Sequence, residues 1–190
     1  MIRDKAIQWK RESLFIHAEQ FVAATATAAH QTVGAGAPPL AEISTFGFAA
    51  LLMEAAGDEG GYAFMVPKHW DPAEELGFTV WWSSGSSTAA DTIDWLVLAK
   101  FFAEGVVLTA PAALDTTIAQ DTVVDANFGQ KTSRGIKNKN WLTHAQVDAG
   151  AIIAVNVEMD AFAVGLSEPK HFLGLEIDFM PRRCKPDYSS

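Results

Sequence analysis

Alternation of apolar and polar residues is clearest near the end of the chain. In HFLGLEIDFMP, Leu173, Leu175, Ile177 and Phe179 point one way and Gly174, Glu176 and Asp178 the other, the period-two signature of a half-buried strand. In GAIIAVNVEMDAF, Ile153, Val155, Val157 and Met159 alternate with Ile152, Ala154, Asn156 and Glu158. GFTVWWS sets Phe78, Val80 and Trp82 on one face and turns Trp81, beside Thr79 and Ser83, to the other. TIDWLVLAKFFAEG fits a strand with Trp95, Val97, Ala99 and Phe101 on one side, or a helix spaced at Leu96, Ala99, Lys100 and Ala103. Its β-branched and aromatic residues favour the strand.

Weaker signals fill in the rest. SLFIHAEQF opens as a strand. STFGFAALLM and YAFMV flank GDEGG, which predicts a hairpin because glycines tolerate positive φ. TTIAQDTVVDA and WLTHAQVDA read as further β segments, and Asp148-Ala149-Gly150 as a tight turn after them. NFGQKTSRGIKNKN reads as a basic loop, and SGSSTAAD as the loop between the two Trp-bearing strands. VAATATAAHQTVGAGAPPLAE, rich in Ala, Thr, Gly and Pro, reads as an arm crossing the surface. The pattern predicts an all-β fold, a jelly-roll β-sandwich of about eight antiparallel strands with an extended N-terminal arm. The expected divisions are an N-terminal strand and arm over 1–43, the jelly-roll domain over 44–181 and a C-terminal tail over 182–190.

Composition sharpens this picture. The chain has 190 residues, 49% hydrophobic and only 19% charged, so it can bury a core without staples. So little charge suggests a surface partly covered by partners. The net charge of −9 argues against a nucleic-acid partner. No apolar run reaches membrane-spanning length, and the charged N-terminus is not followed by the apolar stretch of a signal peptide. With a single cysteine, Cys184, the expectation is assembly in the cytoplasm without a disulfide framework.

Catalytic chemistry finds little purchase. His17, His30, His69, His144 and His171 show no metal-ligand spacing, and strict alternation puts His171 and Glu176 on opposite faces of their strand. There is no GxSxG and no phosphate loop, and Cys184 in RRCK has no catalytic motif around it. Asp91, Asp94, Asp115, Asp121 and Asp125 match no calcium loop, and Glu74-Glu75 have no identifiable partner. The expectation is therefore no enzyme, no catalytic residue, no metal and no cofactor. The residues that suggest contacts are instead two basic clusters and two tryptophans. Arg3, Lys5, Trp9, Lys10 and Arg11 lie at the N-terminus, and Lys131, Arg134, Lys137 and Lys139 in the basic loop. These, with Trp81, are the interface candidates. Trp82 and Trp95 are expected in the core.

From Phe46 to Phe179 the chain resembles a family of small phage virion proteins. The likeness lies in the VPKHWDP turn, the FTVWW strand, a short Ser/Gly/Thr loop, the IDWLVLAKFFAEGVVL strand and the closing HFLGLEIDFMP; SLFIHAEQF also resembles the family's opening strand. The resemblance implies a jelly roll that decorates and cements a phage capsid, as a homotrimer whose partner is the major capsid protein, located at the virion surface. VEMDAFAVGLSEPKH lacks the Arg of the family's element before the last strand. The alternative is a carbohydrate- or receptor-binding jelly roll of a phage head or tail fibre, with Trp81, Trp70 or Trp141 exposed beside loop carboxylates. A cupin-like metalloenzyme is disfavoured by the missing His/Glu cluster.

Overall fold

A computed structural model describes residues 10–25, 40–42, 49–84, 92–102, 115–122, 130–136, 144–148, 150–162 and 170–182. The strands are β1 (Glu12–His17), β2 (Val22–Thr25), β3 (Leu40–Glu42), β4 (Ala49–Met53), β5 (Asp58–Met65), β6 (Leu76–Ser84), β7 (Thr92–Phe102), β8 (Asp115–Thr122), β9 (Gln130–Ile136), β10 (Ile152–Phe162) and β11 (Lys170–Phe179). A 3-10 turn at Ala18–Gln20 follows β1, and a short helix α1 (His144–Asp148) precedes β10. Among the described residues no helix is long and apolar enough to cross a membrane.

The strands form two antiparallel sheets of a β-sandwich. One has the order β3-β4-β11-β6-β9, with β1 also paired to β11; the other has the order β2-β5-β10-β7-β8. Strand β11 is shared lengthwise: Lys170 to Phe172 pair with β4, and Gly174 to Phe179 pair with β1. The chain passes repeatedly from sheet to sheet, so most consecutive strands face each other across the core.

Aromatic contacts join the layers. Trp82 of β6 and Trp95 of β7 are fully buried, their ring centroids 6.2 Å apart and inclined by 53°. Phe172 of β11 packs on Trp95 at 6.1 Å and edge-on against Phe21 at 4.9 Å. Phe78, Val80, Val97, Ile153, Val155, Val157, Leu175 and Ile177 belong to the same core, all from the alternating positions of their strands.

Four expectations change. The arm is instead bracketed by paired strands: β2 joins β5 and β3 joins β4, while 26–39 lies outside the described residues. GDEGG is not a hairpin turn, because β4 and β5 belong to different sheets. Its first two residues close the reversal between the sheets: Gly57 has a φ of 91°, and the Asp58 carboxylate accepts from the backbone N–H groups of Glu54 and Ala55 at 2.7 and 2.9 Å. Gly60 serves close packing instead: a Cβ there would lie 3.1 Å from Leu51 Cδ1 and 3.3 Å from Phe21 Cβ.

The basic loop begins as a strand, since 130–136 pairs along β6 as an edge. Polar and cationic residues are what an unprotected edge favours over an apolar run. WLTHAQVDA contains α1, not a strand; it buries Val147 and ends at Gly150, whose φ is 82°. Asp148 of this helix accepts from the Arg182 guanidinium at 2.7 Å, and Arg182 Nε donates to the Trp70 carbonyl at 3.0 Å, which fastens the segment after β11 to the 68–71 turn.

Replacing Trp82 by Ala is expected to destabilise the fold by about 3–5 kcal/mol through the cavity left between the sheets. Urea unfolding followed by far-ultraviolet circular dichroism measures it, and a change below about 1 kcal/mol contradicts this packing.

Candidate functional site

The outward surface of the larger sheet gathers side chains that the core does not use. Its geometry depends on one irregularity. Between Phe172 and Gly174 the pairing of β11 with β6 slips by a residue: Phe172 stands opposite Trp82, and Gly174 opposite Trp81. The extra residue, Leu173, is a β-bulge, and it resets the alternation of everything before it. His171 therefore pairs with Ser83 on the same outward side as Trp81 and Glu176. This corrects the expectation that His171 and Glu176 occupy opposite faces.

Trp81 is partly exposed at the centre of this surface. Its indole Nε1 donates to Glu176 Oε2 at 3.0 Å. Phe15 of β1, 38% exposed, stands edge-on to it, with centroids 6.3 Å apart and planes 84° from parallel. His17 lies edge-on to Phe15 at 4.8 Å. Gly174 makes this approach available: a Cβ there would fall 2.4 Å from the Ile16 carbonyl oxygen and 2.6 Å from Phe15 Cζ. Thr79 flanks Glu176 in register, and one step further Asp178 stands beside Gly77. Arg11 donates to the Asp178 carboxylate through Nε, and through Nη2 to the carbonyls of Glu75 and Asp178 at 2.8 and 3.1 Å.

The result is an aromatic patch rimmed by hydroxyl, imidazole and carboxylate groups, centred on β6 and β11, which are paired along both sides. An indole face and nearby acceptors suit a ligand with both apolar faces and hydroxyl donors. Among the described residues no three His, Cys, Asp or Glu side chains converge to hold a metal ion.

The proposed contact residues separate. Trp81 is in the patch. Lys10 is exposed at the start of the described chain, and Arg11 is committed to Asp178. Lys131 and Arg134 lie on β9 opposite Trp81 and Phe78 in register. Arg3, Lys5, Trp9, Lys137 and Lys139 lie outside the described residues, as does Trp141. Trp70 is no surface platform: it is fully buried and stacks on Phe101 at 6.4 Å with planes 7° apart. Phe15, His17 and Glu176 were missed as a group. The signal was present in their outward parity on two recognisable strands, but only strand pairing brings β1 against β11.

No family model matches the chain, and no curated protein matches it by sequence. Solved structures do resemble it. The xylan-binding module CBM15 aligns with a TM-score of 0.53 at 8% identity, over 92% of this chain and 100% of that one. The CBM36-1 domain of a multidomain xylanase from the hindgut metagenome of Trinervitermes trinervoides aligns at 0.44 and 14% identity, over 87% and 96%. The CBM22-1–GH10 modules of Clostridium thermocellum xylanase 10B align at 0.48 and 10% identity, over 92% of this chain and 29% of that one. The chain thus shares the β-sandwich fold of CBM15.

Burial, with the Lys170 ammonium beside it, holds the His171 imidazole below its usual pKa. The unfolded chain then takes up a proton first as pH falls below about 6.5. Stability present above that value is lost as the pH drops towards the lower folded-state pKa. His171→Gln removes this component, so its melting temperature is expected to fall less than the parent's between about pH 7.5 and 5.5. Scanning calorimetry showing equal slopes would contradict it.

Proposed function

We propose that the protein is a non-catalytic carbohydrate-binding β-sandwich, and that the Trp81 patch is its ligand platform. The observation that carries this reading is the arrangement of partly exposed Trp81, oriented by Glu176 and walled by Phe15, with Trp81 and Glu176 on strands paired on both sides. A pyranose ring offers a C–H face to an indole and hydroxyl donors to a carboxylate. Both features lie within one patch here, on rigid strands that lose little freedom on binding. The fold likeness to a module described as xylan-binding supports the class of function without fixing the sugar.

Affinity electrophoresis against a panel of soluble polysaccharides is expected to retard the parent protein on at least one of them. Trp81→Ala should weaken that binding by about tenfold or more while leaving the far-ultraviolet spectrum intact, since the side chain lies outside the core. No retardation on any polysaccharide would reject the reading.

A capsid-decorating homotrimer is a second reading, and a different surface favours it. On the outer face of the smaller sheet, Met65, Ile152 and Phe102 stand side by side in register on three strands. Met65 is 61% and Ile152 41% exposed, an apolar row suited to protein contact. This reading expects trimers in sedimentation analysis and attachment to capsids; a clean monomer that ignores capsids would remove it.

A further inference from the structure

We infer that Glu176 makes the platform selective for uncharged glycan chains over chains bearing uronate or sulfate groups. The inference rests on the carbohydrate-binding reading and adds the ligand's charge to it.

The two outward carboxylates of β11 differ in compensation. Asp178 is paired with the Arg11 guanidinium. Glu176 receives one hydrogen bond, from the Trp81 indole, and among the described residues no cation pairs with it. A carboxylate offers roughly four lone-pair sites, so most of the acceptor capacity of Glu176 faces the ligand side unspent. Sugar hydroxyls donate into such sites and gain charge-assisted hydrogen bonds. A uronate or sulfate group brings only acceptors at neutral pH and meets a carboxylate of the same sign that has no ion-pair partner among the described residues. The partly buried position of Glu176 keeps that repulsion less screened than at an open surface. The net charge of −9 adds a long-range field of the same sign.

The test uses matched polysaccharides in affinity electrophoresis: hydroxyethylcellulose with carboxymethylcellulose, neutral arabinoxylan with glucuronoxylan, and galactan with polygalacturonate. The parent is expected to bind the neutral member of any pair it recognises at least about tenfold more tightly, and this ratio should shrink as salt is raised. Glu176→Gln keeps an acceptor for the indole N–H and removes the charge. Its affinity for the neutral chain should fall by about three- to tenfold while the ratio between pair members moves towards one. The indole N–H proton resonance of Trp81, assigned as the one absent from Trp81→Ala among the six tryptophans, reports whether the ring keeps its environment in the variant. Equal or tighter binding of the charged member by the parent, or an unchanged ratio in Glu176→Gln, overturns the inference and leaves the carbohydrate reading standing. Absence of binding to every member of every pair overturns both.

Discussion

The one-residue bulge at Leu173 is the constraint on which the rest of the larger sheet depends. Strand β11 has to serve two partners on one side, β4 along its first residues and β1 along the remainder, while pairing with β6 on the other. A strand in strict alternation would carry its first half out of phase with its second. The extra residue absorbs the difference. Phe172 stays in the core ahead of it, and Leu175, Ile177 and Phe179 stay there after it. On the outward side the same slip brings His171, Gly174 and Glu176 into one file beside Trp81. Core and platform are thus two consequences of one backbone irregularity.

That file is useful only because the core beneath it is fixed. Trp82 and Trp95 meet across the sheets directly under the platform strand, with Phe172 against Trp95. Trp81 and Trp82 are neighbours in sequence and opposite in fate: one locks the layers together, the other is presented to solvent. Anchoring by Trp82 limits how far β6 can shift, and so how far Trp81 can move. Gly174 adds the second requirement, since Phe15 reaches the platform only over a residue without a Cβ.

The fold class and the core of the long strands were legible in the sequence because their side chains alternate over many residues. Trp82, Trp95, Val97, Val155 and Ile177 are each buried where period two placed them. The errors share a physical cause. Local pattern does not say which sheet a strand joins, so GDEGG read as a hairpin although Gly57 turns the chain from one sheet to the other and Gly60 serves inter-sheet packing. QKTSRGI has no apolar alternation, so 130–136 read as a loop. A helix as short as α1 has too few residues to show a period, and its buried Val147 gave no separate signal. For the site, Trp81 was legible as outward-facing, whereas Phe15, His17 and His171 joined it through long-range pairing and a bulge that alternation conceals.

Glu176 occupies the point where these constraints meet. Its hydrogen bond orients the indole, and in the proposed binding role its remaining lone pairs would meet the ligand. An Ala substitution would remove both effects together and leave their contributions mixed, as happens whenever one side chain both positions a neighbour and contacts a ligand. Gln separates them, because the amide oxygen retains the bond to Trp81 while the charge disappears. The two functions differ in kind. Orientation depends on an acceptor being present and is nearly indifferent to salt, whereas discrimination by charge depends on an electric field and weakens with screening. A platform built on strands can hold both in one residue because the backbone beneath is fixed by pairing on either side, so a change at Glu176 reads out as altered recognition before it reads out as altered fold.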